Sequence, residues 1–136
     1  MQLNEGLEKL GGEVTGEEEA SAGLVFAFSS IESIKLPSTL KRIEAGTFKA
    51  CERLKNVEIP NGMEHIGKAC FNWCSLESIV LPASVEEIGE KAFYDNKLRE
   101  VVFASGSGVR VVGDYAFGLN DQLDQEKVSF RSEERR

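Results

Sequence analysis

The sequence predicts an α/β-type solenoid, a right-handed coil of short repeats with a ladder of parallel strands on one face and short turns, 3-10 turns or helical segments on the back. Three observations predict it. Apolar residues recur at the same positions every 22 to 23 residues, a proline follows the strand-like segment in three successive units, and a phenylalanine closes each of four units. Because one coil cannot bury its apolar side alone, we expect the units to stack around a shared core.

The repeat is visible when three stretches are aligned. They are IESIKLPSTLKRIEAGTFKAC from Ile31, LKNVEIPNGMEHIGKACFNWC from Leu54 and LESIVLPASVEEIGEKAFYDN from Leu76, separated by 23 and 22 residues. Each unit contains five apolar columns, a proline or alanine column, and a closing phenylalanine column. In order along the unit, these columns are Ile31, Leu54, Leu76 and Leu98; Ile34, Val57, Ile79 and Val101; Leu36, Ile59, Leu81 and Phe103; Pro37, Pro60, Pro82 and Ala104; Leu40, Met63, Val85 and Val109; Ile43, Ile66, Ile88 and Val112; and Phe48, Phe71, Phe93 and Phe117.

Local chemistry predicts the path of each coil. The alternation of apolar and charged residues in segment 34–36 predicts a short strand with its apolar side inward. Pro37 ends that strand because proline donates no backbone hydrogen bond. The chain then places a second inward pair, Leu40 and Ile43, turns at a glycine such as Gly67, and crosses the back to the phenylalanine. We therefore expect at least four parallel strands stacked in order.

The repeats extend towards both ends, so residues 1–136 are expected to form a single domain of about four nearly complete repeats with partial terminal ones. LNEGLEKLG from Leu3 matches IPNGMEHIG from Ile59 position by position, and Val128 and Phe130 supply one more strand-like pair. Residues 12–23 form a glutamate-rich insertion of about ten residues, which we expect to loop out of the array.

These columns resemble leucine-rich repeats of the BspA-like class, whose pattern runs L-x-x-I-x-L-P, then V-x-x-I-G, then A-F-x-x-C. The clearest match is the unit that starts at Leu76, with Asn96 where the class often has cysteine. Gly62 stands where the commoner leucine-rich pattern has Asn or Cys, so the curvature of a long asparagine ladder is not expected. The resemblance implies a scaffold for protein recognition or adhesion through its concave face, without catalytic residues.

Composition disfavours several classes of function. The formal net charge is −7, and residues 1–22 contribute −5 of it, from six Glu and one Lys. An acidic chain repels phosphate, and no basic stripe is interleaved with aromatics, so nucleic acid is not an expected partner. No apolar run is long enough to span a bilayer, and residues 1–20 lack the features of a secretory signal. We expect an intracellular protein, unless the chain is a fragment of a surface protein or begins after a removed segment.

Neither a metal site nor a catalytic site is expected. Cys51 and Cys74 share one repeat column, Cys70 fills a small-residue slot, and His65 lies in an exposed column. A zinc site needs about four converging ligands, so buried structural thiols are favoured, and unpaired thiols favour a reducing compartment. Segment 105–108, SGSG, lacks the pattern of a phosphate loop and predicts a flexible turn. The single histidine has no positioned nucleophile, so no cofactor or enzymatic activity is expected.

The outward column of the strands is the expected contact surface, because the inward columns are committed to the core. The candidate contact residues of this face are Lys35, Glu58, Val80, Val102 and Glu100. Strand propensity explains the two neighbouring valines, Val80 and Val102, as well as a contact patch does. Trp73, on the back crossing, either lies over the convex surface or contacts a partner.

The favoured function is a non-catalytic interaction module that binds a protein partner or a second copy of the chain. Two alternatives stay open, a structural spacer in a larger array and a regulatory fragment of a multidomain enzyme. An exposed apolar patch of roughly a few hundred Å² would favour binding over spacing.

Overall fold

The computed structural model describes residues 9–10, 26–124 and 128–130. Over these residues the chain forms ten short strands, and all of their pairings are parallel. The insertion expected at 12–23 lies outside the described residues. The strands are β1 (Lys9–Leu10), β2 (Ser33–Lys35), β3 (Arg42–Ile43), β4 (Asn56–Glu58), β5 (His65–Ile66), β6 (Ser78–Leu81), β7 (Glu87–Ile88), β8 (Glu100–Phe103), β9 (Val111–Val112) and β10 (Val128–Phe130).

One face of the solenoid, the front face, carries the strands predicted from the sequence. β2 pairs with β4, while β8 pairs with both β6 and β10. The register places Ile34 beside Val57 and Ile79 beside Val101. The four predicted parallel strands are therefore confirmed. Val128 lies in register with Val101, which confirms the additional strand predicted near residue 130.

The side face carries a second ladder where the sequence predicts only an inward apolar pair. Its five strands follow the order β1, β3, β5, β7 and β9. Leu10 pairs with Ile43, which confirms the predicted match to the later repeats at residues 9 and 10, and residues 3–8 lie outside the described residues. Ile88 is fully buried, whereas its register neighbour Val112 is 49% exposed. Val112 occupies the predicted column, but no described strand covers it.

The back crossing is made of turns, which is one of the forms expected for it, so the predicted solenoid is confirmed and only the α/β class is wrong. Within the described residues the chain forms no helix. Backbone N–H groups in this segment donate instead to carbonyls of the next coil, as from Phe48 to Cys70 (2.9 Å) and from Phe71 to Ala92 (2.7 Å). Donors used between coils are not free for the i to i−4 bonds of an α-helix. The fold is a β-type solenoid, and this third side is its turn face.

Each turn segment contains residues in the left-handed region of backbone conformation. In one coil these are Ala69 (φ 54°) and Trp73 (φ 64°), and in the next they are Lys91 (φ 57°) and Asp95 (φ 56°). A non-glycine residue pays roughly 1–2 kcal/mol for this conformation. Because the same two positions carry it in successive coils, the turn geometry belongs to the repeat and not to one local sequence.

The predicted phenylalanine column forms a continuous stack of rings inside the solenoid. Neighbouring ring centroids lie 5.2–5.4 Å apart, with interplanar angles of 4–8°. Stacked strands lie about 4.8 Å apart, so one ring fits in each coil and stacks on the next. The rings belong to Phe26, Phe48, Phe71, Phe93 and Phe117.

A column of cysteine and asparagine side chains holds each turn to the preceding coil. Each member donates a hydrogen bond to the carbonyl of the phenylalanine one coil earlier, and Asn96 Oδ1 also accepts from the Leu76 N–H at 3.0 Å. The ladder of side-chain hydrogen bonds therefore lies in the cysteine column and not at the position of Gly62. The donors and acceptors are Cys51 to Phe26 (3.0 Å), Cys74 to Phe48 (3.2 Å), Asn96 to Phe71 (2.8 Å) and Asn120 to Phe93 (3.0 Å).

Glycines follow the side-ladder strands where successive coils approach most closely. A Cβ atom on Gly67 would lie 2.7 Å from both the Glu44 carbonyl carbon and the Ile43 carbonyl oxygen. A Cβ atom on Gly89 would lie 2.5 Å from the Lys68 backbone nitrogen. The neighbouring atoms are backbone atoms fixed in the ladder, so they cannot rotate out of the way.

We predict that Gly67→Ala lowers the free energy of unfolding by about 1–3 kcal/mol, because the added methyl group forces two coils apart. Gly108→Ala is the matched control, since its Cβ atom would lie 3.5 Å from the nearest atom, the Ala83 carbonyl oxygen. Urea denaturation of both variants and the parent measures the difference. Equal stability of the two variants would contradict the close approach at Gly67.

Candidate interaction surface

The front face presents most of the contact residues predicted from the sequence. Lys35 of β2 lies in register with Glu58 of β4, and Val80 of β6 lies in register with Val102 of β8. Lys35, Glu58 and Val80 are exposed, as is Glu100. Their predicted outward orientation is therefore confirmed.

Val102 does not share this exposure, so the expected pair of exposed valines is wrong. Its side chain is 6% exposed, against 47% for Val80. In the register, Val102 lies between Val80 on one strand and Ser129 of β10 on the other. Val80 has a paired strand on one side only. A residue flanked by strands on both sides loses exposure, so Val80 alone offers apolar surface in this column.

Val80 borders an interruption of the front ladder. β4 and β6 belong to successive coils, but they lie in separate sheets. A groove of about 440 Å³ opens beside them, and Val57 of β4 is only half-buried although its column neighbours are buried. The spacing of the repeats does not signal this interruption, because the step from Val57 to Ile79 is 22 residues like the next step. The groove is lined by Val57, Glu58, Ile59, Asn61, Ser78, Ile79, Val80, Pro82 and Ala104.

Two smaller grooves adjoin the first and make the front face a mixed polar and apolar surface. They have volumes of about 410 and 320 Å³, and Lys35 and Glu58 line both of them. Glu58 also lines the groove beside Val80. Three of the predicted contact residues thus lie on one continuous surface, with opposite charges at Lys35 and Glu58.

Trp73 lies on the turn face, in a different segment of the coil from the front-face residues. Its side chain is 50% exposed, and its backbone N–H donates to the Tyr94 carbonyl at 2.8 Å. Trp73 lies on the back crossing as predicted, but the structure does not bring this residue together with the other candidates. Phe28, Tyr115 and Leu119 are exposed apolar residues of the same face.

The cysteines are free thiols and are buried, as the repeat columns predict. Burial raises the pKa of Cys51, raises that of Cys70 well above its usual value, and raises that of Cys74 to about 12. Nucleophilic and metal-binding chemistry both need the thiolate, which burial disfavours here. In the described part of the chain, no group of three His, Cys, Asp or Glu side chains could hold a metal ion.

The two other polar features weighed in the sequence have structural roles. His65 lies in register between Arg42 and Glu87, and its Nδ1 lies 3.0 Å from Glu87 Oε2. Segment 105–108 forms a turn in which Gly106 has a φ of 79° and the Ser107 N–H donates to the Ala104 carbonyl at 3.1 Å. The contact between His65 and Glu87 lies within the side ladder, and the turn at 105–108 has two more residues than the equivalent turn between Pro82 and Val85.

These features agree with one protein family. A family model described as BspA type leucine rich repeat region matches residues 23–133 in 6 copies. The match covers most of the chain, so the protein belongs to the BspA-type leucine-rich repeat family. No curated protein and no solved structure matches the chain. Leucine-rich repeats generally mediate protein–protein interaction and are generally non-enzymatic.

Within the residues that the structure describes, there is no helix with the length and apolar character needed to cross a bilayer.

We predict that the native thiols react slowly with a thiol-specific reagent at neutral pH and that all three react quickly in denaturant. A raised folded-state pKa stabilises the fold below the unfolded-state pKa of about 8.5, and this contribution is lost as pH rises towards the folded value. Thermal stability should therefore fall as the pH rises from about 9 towards the value of about 12 given for Cys74. Rapid labelling of all three native thiols, or retention of zinc against a chelator, would contradict their assignment as buried structural thiols.

Proposed function

We propose that the protein is a non-catalytic interaction scaffold that binds an extended segment of a protein partner along its front face. The family supports the scaffold role, and the front face supports the location. The observation that carries the location is the interruption between β4 and β6, which leaves a groove of about 440 Å³ beside an exposed valine.

The groove offers two kinds of contact to a partner. Val80, Pro82 and Ala104 contribute apolar surface, while Glu58 and Asn61 contribute polar groups that accept hydrogen bonds. An extended protein segment presents alternating side chains and a row of backbone donors, which suits such a mixed surface. Lys35 and Glu58 then favour a partner segment that places an acidic group near Lys35 and a basic group near Glu58.

The energy available from Val80 sets the size of the expected effect. Because the side chain is 47% exposed, covering its remaining surface contributes about 1 kcal/mol. A carboxylate at the same position would also lose hydration when the partner covers it. Together these effects exceed about 1.4 kcal/mol, which is a tenfold change in Kd.

We predict that Val80→Asp weakens partner binding at least about tenfold without changing the melting temperature. The partner is first captured from an extract of the source cells, with a charge-matched repeat protein as the capture control. Binding of the captured partner is then measured by calorimetry. Val111→Asp is the matched control, because Val111 is 48% exposed on the side face.

Four outcomes separate the candidate functions. Loss of binding in Val80→Asp alone supports the front face. Equal binding by Val80→Asp and the parent contradicts the front face and directs attention to Trp73 and the turn face. A chain that captures no partner specifically supports the spacer alternative, and capture of an enzyme whose rate the chain changes supports a regulatory fragment.

A further inference from the structure

An exposed turn beside the front-face grooves carries the one Asn–Gly dipeptide of the sequence, Asn61–Gly62. The turn follows β4, and the Met63 N–H closes it by donating to the Pro60 carbonyl at 3.1 Å. Asn61 and Gly62 are both exposed. Asn61 lines the grooves of about 440 and 320 Å³, and Glu58 lines the same two grooves. A chemical change at Asn61 therefore alters the charge of this surface.

The backbone at Gly62 is open on the side where a side chain would stand. Gly62 has a φ of 103°, a conformation that residues with a side chain rarely adopt, so the turn favours glycine here. A Cβ atom at this position would meet only the Ser38 carbonyl oxygen, at 4.0 Å. At Gly67, in contrast, backbone atoms would lie 2.7 Å away. The Gly62 nitrogen is therefore not shielded by its own side chain or by the preceding coil.

The other described asparagines lack this combination of exposure and an unshielded nitrogen. Asn96 and Asn120 are 6% exposed, and the Nδ2 group of each donates to a phenylalanine carbonyl. Asn56 and Asn72 are less buried, but valine and tryptophan follow them in the sequence. Those bulky side chains stand next to the backbone nitrogen that would have to approach the asparagine. Asn61 is thus the asparagine that the structure leaves most open to its neighbour.

Ser84 of the next coil restrains the Gly62 nitrogen. The Gly62 N–H donates to Ser84 Oγ at 3.0 Å, and the Ser84 hydroxyl donates to the Met63 carbonyl at 2.7 Å. Both hydrogen bonds connect one coil to the next, so they hold the turn in its observed conformation. The Gly62 nitrogen must leave its hydrogen bond before it can approach the Asn61 side chain. Ser84 therefore slows any reaction between the two residues in the folded protein.

We propose that Asn61 is a site of spontaneous deamidation whose rate Ser84 controls. The Gly62 nitrogen attacks Cγ of Asn61 and forms the N–C bond of a succinimide ring, its proton passes to Nδ2, and the Cγ–Nδ2 bond breaks with loss of ammonia. Water then opens the ring and leaves aspartate or isoaspartate at position 61. Water is the only co-reactant, and nothing is oxidised or reduced. Either product adds a carboxylate to the two grooves that Glu58 already lines.

The first test follows the conversion of each asparagine in the folded protein. The parent is incubated at mildly alkaline pH, and peptide mapping by mass spectrometry measures the fraction of each amide converted. Residue 61 converts at least about tenfold faster than Asn56 or Asn72, and enzymatic methylation of isoaspartate detects the product of ring opening. The denatured parent shows the rate without the fold. The proposal is overturned if position 61 stays an amide while the denatured chain converts, or if Asn56 and Asn72 convert as fast.

The second test isolates the role of Ser84. Ser84→Ala removes the acceptor of the Gly62 N–H, and conversion at position 61 rises about fivefold, as expected for the release of one neutral hydrogen bond. Ser84→Thr is the matched control, because it keeps a hydroxyl group and the slow rate of the parent. Asn72 reports any general loosening of the fold in either variant. A rise at position 61 alone supports the proposal, whereas no rise, or an equal rise at Asn72, overturns control by Ser84.

Both tests follow a bond change within the chain and need no partner. The proposed function can therefore fail while deamidation at Asn61 is observed, and the reverse outcome is equally distinguishable.

Discussion

The structure depends on one constraint, the stacking of coils at the spacing of a backbone hydrogen bond. Parallel ladders on the front and side faces impose this spacing, and N–H groups of the turn face repeat it, as from Phe93 to Ala116 at 2.7 Å. The side chains and backbone contacts inside the solenoid must repeat with the same period. The phenylalanine rings must therefore be parallel and stacked, and a glycine is needed at position 67, where the backbone approaches the preceding coil. Each turn also needs a side-chain donor, such as Asn96, for the phenylalanine carbonyl of the preceding coil.

The same constraint limits where function can reside. Inward side chains are consumed by the core, including the thiols, whose raised pKa values keep them protonated near neutral pH. Binding must therefore use outward columns, places where a ladder is interrupted, or the ends of the array. The front groove beside Val80 is such a place. Among the described strands, β4 and β6 are not paired, and Val80 is exposed there, whereas the equivalent Val102 is buried between two paired strands.

Repetition explains both what the sequence predicts and what it does not. Ile34, Val57 and Pro37 predict front strands because their spacing reports the stacking period directly. Asn120 was identifiable by the same reasoning, since it follows Phe117 at the offset of Asn96 from Phe93. The sequence leaves turns, 3-10 turns and helical segments open for the turn face, because a short segment has a similar local composition in each form. The choice between them depends on the neighbouring coil, which accepts the hydrogen bonds of its N–H groups. Exposure at Val102, and the groove beside Val80, depend on strand pairing, which is not a property of one repeat.

The central claim is that the turn face is bonded between coils. Scalar couplings measured by NMR across hydrogen bonds identify the acceptor of each amide. We predict couplings from the Phe48, Phe71 and Phe93 amides to the carbonyls of Cys70, Ala92 and Ala116 in the next coil. Couplings from these amides to carbonyls four residues earlier, as in an α-helix, would contradict it.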